Sequence, residues 1–338
     1  MAPPFALMRF DANLAWGKPM HGDNQTRPKL NLTQMWRPEQ AKIVAATAAT
    51  WLMPGLRDIE AFRTLTSPDD GATLGRLGSL EVRLARKKGE IKRAQKLRYR
   101  VFYKDGNAIA DAKTMLAQRD KDAYDKICDH ILVIDHAAKP SFSGKLPVVG
   151  TYRLLRHEVA MRNGGFYTEN EFDISGMIAR HPGLRFLELG RSCVLPPYRN
   201  KRTVELLWHG IWSYVRQNNF DAMLGCASFD GTDPERLAQP LSFLHHFAPA
   251  PDAWQARAHA SRRVEMNRMP KEAIDKKAAL RELPPLIKAY LRLGAYVGDG
   301  AVVDHQFGTT DVFIVMPVSD ISERYIGYFG ADASRHAA

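Results

Sequence analysis

One carboxylate lies in an unusual place in this sequence. Glu188 stands in the short apolar run from Phe186 to Val194, with Arg191 three residues after it. A carboxylate among apolar neighbours must be ion-paired, open to a cleft or shifted in pKa. Residues three apart point to opposite faces of a regular strand, so we expect a bulge at Gly190 to bring the two side chains together. Two interpretations are open: a buried ion pair that only stabilises the sheet, and a functional carboxylate.

The residues that follow predict the end of a strand, a turn, a helix and a second strand. Pro196 and Pro197 end the first strand, because proline cannot continue a hydrogen-bonded ladder. We expect Thr203 to cap a helix that ends at Asn218, since apolar residues recur at helical spacing between them. Residues 223–227 predict a second buried strand, parallel to the first because one helix connects the two.

The loop before this helix carries three cations, Arg199, Lys201 and Arg202. The N-terminal end of a helix has free N–H groups and a positive dipole, so it suits a phosphate or pyrophosphate. A solvated basic loop is equally compatible with the pattern.

The order of these motifs resembles that of a known family. Glu188 and Arg191 in ELGR, the proline-rich turn, the helix and the second strand resemble the pantetheine-binding core of the GNAT acyltransferase superfamily. More closely, the chain resembles the L-ornithine N(alpha)-acyltransferases that make lyso-ornithine lipid, relatives of the acyl-homoserine-lactone synthases. The resemblance covers roughly residues 79–330 and rests on further motifs, namely LRYRVF with Arg98 and Phe102, DAYD with Asp122 and Asp125, GTYRLL with Arg153, LPPLIKAYLRLGAYV, and DHQFGTTD with Asp304 and Asp311.

The resemblance implies transfer of a 3-hydroxyacyl group from acyl carrier protein to the alpha-amine of ornithine. Glu188, with a pKa raised by burial, would take the amine proton directly or through water, with Arg191 as the second catalytic residue. Backbone N–H groups of residues 190–193 would stabilise the oxyanion. The acceptor would contact Asp122, Asp125, Arg153, Asp304 and Asp311. The acyl-pantetheine and its carrier would contact Arg98, Phe102, Val194, Arg199, Asn200, Lys201, Arg202 and Thr203.

No cofactor beyond the carrier-protein thioester is expected, and no metal. The glycine-rich phosphate loop of ordinary acetyltransferases is replaced here by residues 198–202, Tyr-Arg-Asn-Lys-Arg, so acetyl-CoA is not the expected donor. Glycine, glutamine or lysine as acceptor, and the acyl chain length, stay open. Two other functions also stay open: an acyl-homoserine-lactone synthase, and a non-catalytic basic protein that binds acidic membranes.

The charge of the chain is uneven. The 338 residues carry a formal net charge of +11, and residues 76–104 hold eleven basic residues against two acidic ones, a local balance of +9. An acidic partner is expected on that side, either an acidic carrier protein or an anionic membrane surface. Nucleic acid is not expected, because no recognition motif with aromatic residues accompanies the charge.

Cysteine, histidine and hydropathy patterns bear on location and metal binding. Cys128, Cys193 and Cys226 are far apart and lie in apolar runs, which is typical of reduced cysteines in a cytoplasmic protein. His245 and His246 have no further ligand at metal-binding spacing, so packing or loop roles are favoured over zinc. No signal peptide and no apolar run of about 18 residues is present, so contact with the inner face of the membrane would be peripheral.

The coarse pattern predicts an α/β (α+β) fold with a GNAT-like mixed central sheet and helices on both of its faces. Residues 1–75 are expected to form a partly irregular N-terminal extension with one helix over Glu39 to Met53, followed by a linker at Ser67 to Gly78. The acyltransferase domain would span residues 76–330 and a tail 331–338. Aromatic, turn-rich residues 161–184 predict a long insertion that walls an acyl pocket or covers the core.

Overall fold

The structure is a computed structural model that describes residues 73–142 and 144–321. The predicted helix over Glu39 to Met53, nearly all of the N-terminal extension and the tail 331–338 lie outside the described residues. Within the described part, no helix is long and apolar enough to cross a bilayer.

Eight α-helices and eleven strands are present in the described residues. The helices are α1 (Lys88–Tyr99), α2 (Ala112–Ala117), α3 (His157–Arg162), α4 (Ser175–Arg180), α5 (Lys201–Gln217), α6 (Ala238–Phe247), α7 (Lys276–Glu282) and α8 (Pro285–Arg292). The strands are β1 (Thr73–Leu77), β2 (Leu80–Leu84), β3 (Asp129–Asp135), β4 (Val148–Arg156), β5 (Phe172–Asp173), β6 (Phe186–Val194), β7 (Ala222–Asp230), β8 (Arg257–Ala258), β9 (Arg263–Val264), β10 (Tyr296–Asp304) and β11 (Thr309–Pro317).

The strands form one mixed sheet in the order β1-β2-β3-β4-β6-β7-β11-β10-β8-β5, with β9 beside β10. The pairs are antiparallel except β6 with β7 and β10 with β8, which are parallel. The parallel β6–β7 pair follows from its connection, because the single helix α5 carries the chain back to the starting edge. The predicted mixed sheet is therefore confirmed.

Helices cover both faces of the sheet, as predicted. Ile131 and Val133 of β3 pack in one core with α5, whereas Leu132 between them packs with α1 on the opposite face. The alternation follows from the two-residue period of a strand. α5 is held tightly, since its residues from Leu206 to Val215 are all buried.

Four sequence predictions about elements need correction. Asn200, not Thr203, caps α5: its side chain accepts from the backbone N–H of Thr203 at 3.1 Å, and the helix begins at Lys201. The sheet begins with β1 inside the segment that was predicted to be a linker. Strand β10 was not predicted. The sequence predicts the first helix of the domain over about Ile91 to Tyr103, whereas α1 begins three residues earlier, at Lys88, and continues as a π-helical turn from Arg100 to Lys104.

The bulge in β6 lies one residue later than predicted. Thr151 of β4 pairs with Cys193, and Arg153 pairs with Gly190, so β6 has one more residue than β4 between these points. Arg191 has a φ of 50°, a left-handed conformation that is uncommon for a residue other than glycine. The bulge therefore centres on Arg191, and it redirects that side chain.

Candidate active site

A cavity opens where the two parallel strands separate. The register of β6 with β7 runs only from Phe186–Ala222 to Glu188–Leu224, although both strands continue for six more residues. A cavity of about 480 Å³ lies beside the gap and is lined by Phe102, Arg153, Tyr167, Thr168, Glu188, Arg191, Phe307, Asp304 and Asp311, among others. A Cβ atom added at Gly190 would meet nothing within 4 Å, so this part of β6 borders open space. A long thin group can enter such a gap between strands.

Glu188 is buried at the inner end of this gap and is held by hydrogen bonds. Its Oε1 accepts from the backbone N–H of Thr168 at 2.7 Å and from the Thr168 hydroxyl at 2.6 Å, and its Oε2 accepts from the backbone N–H of Tyr167 at 3.0 Å. Burial raises the pKa of Glu188 above its ordinary value, and the bonds from Thr168 and Tyr167 oppose that rise. Glu188 and Arg191 line the same cavity, but no ion pair joins them among the described residues. A buried carboxylate that makes no ion pair and faces a cavity can accept a proton from a ligand.

Arg191 is clamped between two aromatic rings. Its guanidinium carbon lies 4.8 Å from the centre of the Tyr167 ring and 4.5 Å from that of Phe307. Its ion pairs with Asp120 and Asp122 are long, 3.4 Å each, and its Nε has no hydrogen-bond partner. Stacking thus fixes the plane of the guanidinium, and Arg191 is one of the residues that line the cavity.

Behind the cavity wall lies an arginine–aspartate network, composed of Arg98, Arg153, Asp120, Asp122 and Asp125. Arg98 is fully buried, with its Nη2 2.7 Å from Asp125 and its Nε 2.7 Å from Asp120. Arg153 donates to both oxygens of Asp122 at 2.6 Å. Although burial opposes the change, Arg153 and then Arg191 keep the pKa of Asp122 below its ordinary value.

The network changes our interpretation of three predicted site residues. Asp122 and Asp125 already bind arginines, and neither is among the residues that line the cavity. Arg98 has no exposed surface through which it can contact a carrier protein. In the structure Asp122 pairs with Arg153 and Arg191, and Asp125 pairs with Arg98. Arg153 does line the cavity, as a contact with the acceptor requires.

A second group of three carboxylates lies at the cavity, and two of them line it. Asp304 at the end of β10, Asp311 on β11 and Glu171 have carboxylate oxygens within 4.8 Å of one another, and we call them the acidic triad. Burial, and then the charge of Asp311, raises the pKa of Glu171 to about 8, while burial raises that of Asp311 to about 6. Asp304 and Asp311 were predicted from the sequence, and both line the cavity.

The predicted carrier-binding residues are spread along the outer end of the gap. Phe102 lines the cavity and contacts Phe307 edge to face, with ring centres 5.8 Å apart. Val194 and Thr203 are buried. Around the N-terminus of α5, Arg199 donates to the Val194 carbonyl at 3.0 Å, Lys201 pairs with Glu205, and Arg202 and Asn200 are exposed.

Sequence reasoning missed four functional candidates: Tyr167, Thr168, Glu171 and Phe307. The first three lie in the insertion of residues 161–184, whose 3₁₀ turn Tyr167–Asn170 presents its first N–H groups to Glu188. A short turn rich in aromatic and acidic residues was the only signal. Phe307 belongs to the predicted DHQFGTTD motif, but its stacking on Arg191 depends on the fold.

The cysteines and the paired histidines contribute no reactive group. All three cysteines are free, and burial raises the pKa of Cys128, Cys193 and Cys226 above that of an ordinary thiol. Thiols of this kind are poor nucleophiles at neutral pH. His246 lies in the last turn of α6, where its Nε2 is 3.2 Å from the Met269 carbonyl oxygen. The acidic triad is the one group of three metal-ligand side chains in the described residues, and His245 and His246 are not part of it.

Comparison with known proteins gives the family. Residues 97–209 match the acetyltransferase (GNAT) domain family. An L-ornithine N(alpha)-acyltransferase of Agrobacterium fabrum is 54% identical over 273 residues, which are 81% of this chain and 92% of that protein. The enzyme of the same name from Brucella abortus is 52% identical and covers 84% of this chain and 99% of its own. A solved CoA-dependent acyl-homoserine lactone synthase matches 72% of this chain and 83% of its own at a TM-score of 0.38 and 9% identity. The chain therefore belongs to the L-ornithine N(alpha)-acyltransferase family, and it is an acyltransferase.

Proposed function

We propose that this protein transfers a 3-hydroxyacyl group from the thioester of acyl carrier protein to the alpha-amine of L-ornithine, which gives lyso-ornithine lipid. The observation that carries the proposal is Glu188, a buried carboxylate with a raised pKa at the inner end of the gap between two parallel strands. The names of the relatives from Agrobacterium and Brucella support ornithine as the acceptor.

The proposed reaction needs one base and one site for an oxyanion. The neutral alpha-amine attacks the thioester carbon, a C–N bond forms, and Glu188 accepts the ammonium proton as the tetrahedral intermediate collapses. The C–S bond then breaks, and the pantetheine sulfur leaves and takes up a proton as the free carrier protein is released. The backbone N–H groups of residues 190–193, on the part of β6 beyond its pairing with β7, are our candidates for binding the oxyanion.

Two features support an acidic carrier protein as the donor. Arg199, Lys201 and Arg202 surround the N-terminus of α5, where the phosphate of a pantetheine arm would be stabilised. Lys88, Lys92 and Lys96 are exposed and four residues apart on α1, so they form one basic row, which we call the lysine stripe. Arg93 of the same helix is not part of it, because it pairs with Glu90 and donates to the Leu146 carbonyl.

Two other functions have to be separated from this one: membrane binding, because the lysine stripe also suits an anionic membrane surface, and lactone synthesis. The assay incubates purified protein with labelled 3-hydroxyacyl carrier protein and ornithine. Thin-layer chromatography and mass spectrometry then resolve the lipid products. We expect an N(alpha)-acylated ornithine that requires the carrier thioester. A product formed only from S-adenosylmethionine would identify a lactone synthase, and vesicle binding without any acylation would identify a membrane-binding protein. Either result would overturn the proposal.

The control for catalysis is a pair of conservative amide substitutions. Glu188→Gln should abolish formation of the labelled lipid, whereas Glu272→Gln, at an exposed residue remote from the cavity lining, should leave it unchanged.

A further inference from the structure

Glu171, Asp304 and Asp311 form a buried cluster of like charges. Their relative exposures are 2%, 9% and 6%, and their oxygens lie within 4.8 Å of one another. The ion pair between Arg262 and Glu171 is weak, since Arg262 Nη2 lies 3.8 Å from Glu171 Oε1 and the Arg262 side chain is 38% exposed. Ionised carboxylates at this spacing repel one another, and either a bound proton or a cation between them relieves the repulsion.

Several oxygen atoms of the cluster have no partner. Glu171 Oε2 and Asp311 Oδ1 are buried without a hydrogen bond. The hydroxyl of Thr309, 2% exposed and on the same cavity wall, lies near Asp311 but makes no hydrogen bond of ordinary geometry. Unsatisfied buried oxygens are rare in native proteins, and two of them in one cluster of carboxylates indicate a missing donor or cation.

One short turn of the chain connects the cluster to Glu188. The 3₁₀ turn Tyr167–Asn170 binds Glu188 through the N–H of Thr168, and Glu171 follows directly after this turn; three residues of 3₁₀ backbone rise about 6 Å along the axis. The Cys226 thiol lies 3.8 Å from the Thr168 hydroxyl, and burial and then the charges of Glu171, Asp311 and Glu188 raise its pKa, so both carboxylates lie near it. In ornithine, five bonds of about 1.5 Å separate the two nitrogens, so they are about 6 Å apart when extended.

Two arginines, Arg153 and Arg191, also line the cavity. The cavity wall thus offers two cations for a carboxylate, a base at Glu188, and two carboxylates of the acidic triad, Asp304 and Asp311. An ammonium that donates to three oxygens at about 2.8 Å spaces them about 4.6 Å apart, which is within the observed limit.

We propose that the acidic triad binds the side-chain ammonium of the acceptor, and that Glu171 is therefore a residue that determines selectivity for a diamino acid. This proposal rests on the proposed function, in which ornithine is the acceptor. Arg153 and Arg191 would bind the alpha-carboxylate, and the alpha-amine would then face Glu188. An acceptor without the terminal ammonium would leave the three carboxylates unpaired, which is the kind of difference on which strong discrimination is built.

The test compares ornithine with norvaline, which has the same carbon chain and lacks the terminal amine. kcat/KM for both acceptors is measured with one carrier thioester in Glu171→Gln, Asp311→Asn and the double variant. We expect the preference for ornithine to fall about tenfold in each single variant and about a hundredfold in the double variant, with little change for norvaline. Asp252→Asn and Glu272→Gln, both at exposed residues, should keep the wild-type ratio.

Glu171→Asp provides a conservative variant with a separate readout. It keeps the charge and shortens the side chain by one methylene, so the preference should shift from ornithine toward lysine, which is one methylene longer. A merely structural role for Glu171 would change stability or turnover without moving the preference along this series. If the amide variants fail to fold, the ratio of kcat/KM for ornithine to that for lysine in Glu171→Asp still tests whether Glu171 determines selectivity.

The failures of the two proposals are distinguishable. If wild-type protein acylates neither ornithine nor norvaline, the proposed function fails. If it acylates ornithine and the triad variants keep the wild-type ratio, the triad proposal fails alone. Calorimetric titration of the purified enzyme with Mg²⁺, Ca²⁺ and Mn²⁺ tests the remaining case, in which the triad binds a metal ion. Micromolar binding that is lost in Glu171→Gln, together with activity lost on chelation, would assign the triad to a metal and overturn the proposal.

Discussion

Glu188→Gln is the substitution that most directly tests the chemistry. Glu188 accepts three hydrogen bonds, two at Oε1 from Thr168 and one at Oε2 from Tyr167. A glutamine can keep the two bonds at its oxygen, but its NH₂ group would then face the N–H of Tyr167. One buried donor is left unsatisfied, which costs about 1–3 kcal/mol. Because domains of this kind have about 5–15 kcal/mol of stability, the variant should stay folded.

The effect on turnover should be much larger than the effect on stability. An amide cannot accept the proton of the amine, and loss of a general base typically lowers the rate by about 10²–10⁴. We expect kcat to fall by this factor with a matched 3-hydroxyacyl carrier protein, while urea unfolding shows a loss of no more than about 3 kcal/mol. The two measurements together separate a missing base from a damaged fold.

The pH profile gives an independent readout. Glu188 acts as a base only when ionised, so wild-type kcat/KM should fall as pH decreases through the pKa of Glu188, which burial raises above 4.5. Thr168→Val removes a hydrogen bond that stabilises the carboxylate, so it should raise that pKa further and move the acid limb to higher pH. Near-wild-type kcat in Glu188→Gln, or an acid limb that Thr168→Val leaves in place, would refute the role of Glu188 as the base.

Three further predictions concern the donor, the network and the acceptor. Reversal of Lys92 and Lys96 to Glu should raise KM for the carrier protein several-fold at low salt and leave KM for a small acyl-pantetheine unchanged. The matched reversal of Arg216 and Arg236 should change neither KM value. An equal effect on both donors would exclude the lysine stripe as the docking surface. Asp125→Asn should lower the free energy of unfolding in urea by about 3 kcal/mol because it removes one of the two carboxylates that neutralise the buried Arg98. An intact stability with altered ornithine preference would instead restore Asp125 as an acceptor contact. Finally, KM for ornithine should fall as pH rises from about 6 to 8, because the raised pKa values in the acidic triad keep carboxyls neutral at the lower pH. KM for norvaline should change far less. An identical pH dependence for both acceptors would contradict this reasoning.

The local pattern of the sequence was sufficient for the central motif. The apolar run around Glu188, the two prolines and the helical spacing before Asn218 give strand, turn and helix because these signals are local: a two-residue period, the missing N–H of proline and a 3.6-residue period. The parallel direction of β6 and β7 also follows, because a single helical crossover permits little else. The same reasoning placed the bulge near Gly190, one residue from its actual centre at Arg191.

Other features depended on which segments meet in space. In the sequence, Asp122 and Asp125 are simply acidic residues of a loop, and only the tertiary structure pairs them with Arg153 and Arg98. Likewise Glu171 lies 133 and 140 residues from Asp304 and Asp311, yet the carboxylate oxygens of the three lie within 4.8 Å of one another. Residue types and local periods determined the elements and the presence of a buried carboxylate. Which charges are compensated, and which are left to bind a ligand, is decided by contacts between distant segments, because burial and pairing set the cost of a charge.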